Sequence, residues 1–123
     1  MSAPKVLLIG LHPSSVDYTK WPELSPEKLN NAFEQARAEL EAAGFEGVWC
    51  LTDTGESAGQ QVSTHLESFQ PQIVMIGAGV RTDPDLLPLF EKILNIIHLK
   101  APHSKIAFNT SPYDTVEAIQ RWI

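Results

Sequence analysis

The sequence has one cysteine, Cys50, in 123 residues. A lone thiol forms no internal disulfide and cannot build a cysteine-only zinc site, so a reducing compartment is expected. Cations are also scarce: nine Lys plus Arg stand against fifteen Asp plus Glu, for a net charge of −6. Holding nucleic-acid phosphates or an anionic membrane surface takes clustered cations, and these are scattered. Neither partner is expected. No run approaches the ~20 apolar residues of a membrane span. Met1-Ser2-Ala3-Pro4-Lys5 passes straight into a strand, without the charged region, apolar run and cleavage site of a signal peptide. The expected location is the cytoplasm. Repeats, low-complexity tracts and linker-like composition are missing too, so residues 1–123 read as a single domain.

What is present is a rhythm. Lys5-Val6-Leu7-Leu8-Ile9-Gly10 is short and continuously apolar, as a strand covered on both faces should be. Ser25 then caps a helix with Pro26 at its first position and Glu27 in its first turn. Leu29, Ala32, Phe33, Ala36, Leu40 and Ala43 form its apolar stripe. Gly44 ends it, because a left-handed cap favours a residue without a β-carbon. A second strand follows over Gly47–Thr52, then a helix over Ser57–Phe69 stopped by Pro71. Gln72–Gly77 is the third strand, and a helix starting at Pro84 or Pro88 runs to Leu99. Ser104–Asn109 is the fourth strand, and Pro112 opens a short last helix.

Alternating units of this kind predict a parallel sheet with helices on both faces, a three-layer α/β/α sandwich. Strands one and three are the most apolar and belong at the centre. Right-handed crossovers then give four strands in the order 2-1-3-4. That is a flavodoxin-like, and more loosely Rossmann-like, arrangement short of its last strand. The first and last helices should share one face and the middle two the other. A four-stranded sheet wound in one direction is the alternative.

In such sheets ligands sit beyond the carboxyl ends of the strands, where the winding reverses. The loops that meet there follow strands one and three, residues 11–18 and 77–83. Residues 52–55 and 109–111 flank them. The glycine-rich turn Gly77-Ala78-Gly79 offers backbone amides to an anion. Arg81 offers a bidentate contact to phosphate or carboxylate. The plainer reading gives the glycines to a tight turn. The run Ile73–Val80 resembles the start of a dinucleotide-binding fingerprint and then departs from it. Thr82 stands where the third glycine belongs, and Asn109 replaces the ribose-binding acid. His12, with Ser14, Ser15 and Asp17 nearby, is a candidate general acid or base. A loop histidine held by hydrogen bonds is the plainer alternative. Gly10-Leu11-His12-Pro13-Ser14-Ser15 faintly resembles the histidine loop of cobalamin-binding domains, without that motif's aspartate and glycine. Acidic residues of the kind that accept phosphoryl groups in response-regulator receivers are missing after strands one and three.

His65, His98 and His103 have no ligand spacing with one another, so no metal site is expected. Cys50, inside a strand, reads as a buried structural thiol. Asp53 serves as a turn or cap residue, or binds a hydroxyl or a metal. The helix near 84–99 is apolar on more than one side. Leu89 and Ile96 make a second stripe, which suits either a homodimer surface or a neighbouring helix.

Ile76-Gly77-Ala78-Gly79-Val80-Arg81-Thr82-Asp83-Pro84 and Ile106-Ala107-Phe108-Asn109-Thr110-Ser111-Pro112 resemble segments of a small bacterial family of flavodoxin-like α/β proteins. The likeness spans most of the chain. That family carries no assigned activity, so the resemblance implies a fold and no catalytic residue.

Three functions follow as expectations. The first is a binding module for a small anionic ligand, held by Gly77, Ala78, Gly79, Arg81, Thr82, Asn109 and Ser111. The second is an enzyme acting on a phosphorylated or carboxylated metabolite, with His12 as acid or base. The third is a dimeric interaction protein with a vestigial pocket. No cofactor is specified.

Overall fold

The computed structural model describes residues 3–123. Met1 and Ser2, part of the stretch read above for a leader, lie outside the described residues. β1 (Lys5–Leu11), β2 (Glu46–Thr52), β3 (Ile73–Ile76) and β4 (Lys105–Phe108) form one sheet in the order β2-β1-β3-β4. Every pairing is parallel, as the sequence rhythm requires. The two central strands are the two most apolar. Val6 to Ile9 and Val74 to Ile76 are fully buried, and Ile73 nearly so.

The strands alternate between two cores. Leu7, Ile9, Val74 and Ile76 pack with α2 (Ser57–Phe69) and α4 (Leu87–Lys100). Val6, Leu8, Ile73 and Met75 pack with α1 (Pro26–Ala42) and α5 (Thr115–Gln120) on the opposite face. The first and last helices thus share a face, and α2 and α4 share the other.

Local signals set the helix ends. Ser25 Oγ accepts from the Lys28 amide at 3.2 Å, with Pro26 behind it. Gly44 takes φ +94°, a conformation that costs other residues steric strain. Where α4 crosses α2, a β-carbon on Gly59 would come within 2.9 Å of Lys92 Cε and 3.3 Å of Ile96 Cδ1. The second apolar stripe of α4 is therefore partly covered by α2. Ile96 packs on α2, and Leu89 is buried. Leu87 and Leu99 are the exposed leucines of this helix. Two short elements refine the expected boundaries. α3 (Ala78–Arg81) is a single turn directly after β3, and Pro84–Leu86 forms a 3-10 turn before α4. No described helix is long and apolar enough to cross a membrane.

One core position breaks the usual polar accounting. Thr52, at the end of β2, is fully buried, and its hydroxyl has no partner among the described residues. A buried, unpaired hydroxyl costs about 1–3 kcal/mol. Thr52→Val keeps the shape and removes the orphan. The variant should gain about 1 kcal/mol, read as a melting temperature higher by a few degrees. A lower melting temperature would show that the hydroxyl is satisfied.

Candidate functional site

β1 stays paired with β2 through Leu11–Thr52, but its pairing with β3 ends at Ile9–Ile76. The Gly77 amide still bonds the Ile9 carbonyl at 2.9 Å, and then the chain turns into α3. Gly10 and Leu11 therefore run on with no strand on that side. The gap is a half-open cavity of about 270 Å³. The turns after Gly10 and Gly77 meet at its edge, so the crevice lies at the expected reversal point.

One wall is apolar. Leu29 and Phe33 come from α1, Trp49 from β2, and Val16, Trp21 and Leu24 from the segment between β1 and α1. Trp49 is fixed by its indole N–H, which donates to the Phe33 carbonyl at 2.9 Å. Its ring lies 4.6 Å from that of Phe33, tilted by 43°. The facing wall is made of Gly77, Ala78, Gly79, Thr82 and the turn Asn109–Pro112.

The polar groups of the facing wall are largely committed to one another. Asn109 is only 2% exposed. Its Oδ1 accepts from the Ala78 amide at 2.9 Å, and its Nδ2 donates to Thr115 Oγ1 at 3.2 Å. It thus pins the start of α3 to the start of α5. Thr82 Oγ1 donates to the Ala78 carbonyl at 2.8 Å. Thr110 Oγ1 donates to Asp114 at 2.7 Å. Ser111 Oγ accepts from the Tyr113 amide at 3.2 Å, and its own proton meets no acceptor among the described residues. The Gly79 amide meets no acceptor among the described residues.

Of the residues singled out from sequence, Gly77, Ala78, Gly79, Thr82, Asn109 and Ser111 line this cavity together. Arg81 and His12 are not in its lining. The Arg81 guanidinium lies 4.9 Å from the centre of the Phe108 ring. It donates to the Ile76 carbonyl at 3.3 Å and also to the Asn109 carbonyl. Burial lowers its pKa, and Asp114 acts in the opposite sense. His12 caps the 3-10 turn Pro13–Ser15 and is exposed. Its Nδ1 lies 2.8 Å from Ser14 Oγ and accepts from the Ser14 amide at 3.1 Å. Cys50 is buried, and burial pushes its thiol up to about 11, far from thiolate chemistry at neutral pH. Asp53 accepts from the Gly55 amide at 3.0 Å and from Ser57 Oγ at 2.5 Å, the role of a turn residue before α2. Among the described residues no group of three or more His, Cys, Asp or Glu comes together.

Sequence reasoning missed the apolar wall. Its signal was present in Val16, Trp21 and Leu24, large apolar residues in a segment with no strand or helix to bury them. No protein-family model matches the sequence, and no curated protein matches it either.

Two predictions concern the construction of this rim. Desolvation raises the Asp114 carboxyl pKa. Hydrogen bonds from the Thr110 side chain and from the Ser111 and Thr110 amides outweigh it and hold the group below the usual aspartate range. A depressed carboxyl contributes stability above its unfolded pKa of about 3.9 and loses it as pH falls through the lower folded value. Asp114→Asn should therefore melt below the wild type at pH 7, and the gap should shrink below about pH 4. A gap of constant size down to pH 2 would refute the assignment. Arg81→Ala leaves the Ile76 and Asn109 carbonyls without their donor. It should cost about 1–2 kcal/mol of stability, read by urea unfolding; an unchanged midpoint would show that the guanidinium is free.

Proposed function

We propose that the protein is a binding module for a compact, flat, mainly apolar small molecule. The carrying observation is the cavity lining, which holds three aromatic side chains and no ionisable one. A phosphate or carboxylate in such a site has no cation opposite it, and burying an unpaired charge is costly. The glycine turn does not replace the cation. The Gly77 and Ala78 amides are already bonded to Ile9 and Asn109. Anion binding is therefore the weaker of the ligand readings, and the expected ligand is neutral or carries its charge outside the chamber.

Size supports the same reading. The 270 Å³ volume is just below the ~300 Å³ at which ligand pockets usually begin. It suits a guest of two or three rings and not a dinucleotide. The walls favour retention over turnover, because general acid–base catalysis needs an ionisable group within hydrogen-bond reach of the reacting atom. Aromatic faces at Trp49, Phe33 and Trp21 would take the rings. The Ser111 hydroxyl proton and the Gly79 amide would select a guest with an acceptor at its edge. The likeness to a small bacterial flavodoxin-like family adds no ligand to this reading, since no activity comes with it.

N-phenylnaphthylamine, a neutral dye that fluoresces in apolar surroundings, is a direct probe. Its emission should rise with saturation at about one dye per chain, and millimolar inorganic phosphate should not displace it. Gly79→Leu is the blocking variant. A β-carbon at Gly79 meets nothing within 4 Å, so the added side chain clashes with no protein atom at its root. The variant should lose about tenfold or more in dye affinity, equivalent to ~1.4 kcal/mol, without melting earlier. Absence of dye binding to the wild type, or displacement by phosphate, would overturn the proposal.

A further inference from the structure

We infer that residues 13–24 form a hinged cover over the chamber, and that Lys20 is its latch. The inference rests on the reading of that chamber as a binding site. The cover is anchored at both ends. At one, the His12 amide donates to the Thr52 carbonyl at 2.8 Å; at the other, Ser25 caps α1. Between these anchors the segment bonds mostly to itself. Tyr18 Oη donates to the Pro13 carbonyl at 2.7 Å, the Lys20 amide to Asp17, and the Leu24 amide to Trp21. Val16, Trp21 and Leu24 turn toward the chamber, although Trp21 remains 36% exposed.

Among the described residues, the polar tie from residues 13–22 to the opposite side of the chamber is the Lys20 side chain. Its Nζ lies 3.1 Å and 3.2 Å from the two Asp83 oxygens and also contacts Asp85. The receiving side is held within the fold. Asp83 is 8% exposed and is fixed by capping the 84–86 turn, accepting from the Asp85 amide at 3.0 Å. It also follows directly on Thr82, which lines the chamber. The ion pair thus joins the moving side to the fixed side beside the chamber wall. Lys20 is partly exposed, and Asp85 largely so. The exposed arm to Asp85 is weak and screened by salt, while the arm to the buried Asp83 is screened less. This pair can yield to thermal motion while it still biases the cover toward closure.

Two measurements test this on the full chain. The first is hydrogen exchange of the wild type and of Lys20→Gln, which needs no ligand. Exchange should quicken at least about threefold in peptides spanning 13–24 and stay unchanged in the strands. The second is stopped-flow binding of N-phenylnaphthylamine. Lys20→Gln should raise the association and dissociation rates together by about threefold or more, with a smaller change in their ratio. Asp85→Asn should act in the same direction but less, because Asp83 remains. Raising salt should accelerate the wild type and leave Lys20→Gln nearly unaffected. Unchanged exchange over 13–24 overturns the latch whatever the dye does. Unchanged rates with a dye that binds overturn it as well. Faster exchange with no dye binding to either protein would keep the latch and sink the chamber reading.

Discussion

The site depends on an inequality between the two central strands. β1 keeps its pairing with β2 to Leu11, while β3 leaves it after Ile9–Ile76. A parallel strand must be followed by a crossover, and the crossovers after β1 and β3 go to opposite faces. The chain after β1 reaches α1 on one face, and the chain after β3 reaches α4 on the other. The two helices leave a crevice between them at the strand ends. In a fold with this order the crevice is a consequence of winding. The sequence decides how it is lined.

Here the lining separates two kinds of interaction. Charged and polar groups around the rim build the rim. Arg81 holds two carbonyls and the Phe108 ring. Asp114 gathers the donors of residues 110 and 111. Asn109 connects α3 to α5. Each of these contacts uses hydrogen-bonding capacity that a ligand would otherwise meet. What they leave facing the cavity is mostly carbon. Low conformational freedom follows as well, because side chains bonded to backbone groups do not need to be reordered when a guest enters.

The sequence discloses the scaffold more fully than the site, for a physical reason. Strand and helix assignments depend on periodicity and on local chemistry at the ends, such as Ser25 before Pro26 or Gly44 at a left-handed cap. These act within a few residues and can be read in order along the chain. The order 2-1-3-4 follows from apolarity plus the handedness of crossovers. The position of the loops after β1 and β3 follows from that order, so Gly77, Ala78, Gly79, Thr82, Asn109 and Ser111 could be placed at one rim. The direction of the Arg81 side chain could not. It is set by Phe108, a residue of another strand, and by carbonyls freed where β3 and β4 end. The partnership of Trp49 with Phe33 is hidden in the same way, because it joins a strand to a helix through tertiary packing. α3 is too short for any periodic signal.

The segment between β1 and α1 brings these levels together. It has no regular element long enough to bury an apolar face, yet it carries Val16, Trp21 and Leu24 toward the cavity. Surface connections are usually polar, because water satisfies their backbone groups. Large apolar side chains in such a segment gain only from a surface on which to rest. The Trp49–Phe33 wall supplies part of that surface, and the half-open cavity leaves the rest to water. Wetted aromatic walls are unfavourable in proportion to their exposed area. A guest that displaces the water recovers that free energy on both sides at once, from the walls and from the segment above them. On the binding reading proposed above, the apolar residues of the connection and the uncharged wall serve one role, which is to receive a guest that brings no charge into the cavity.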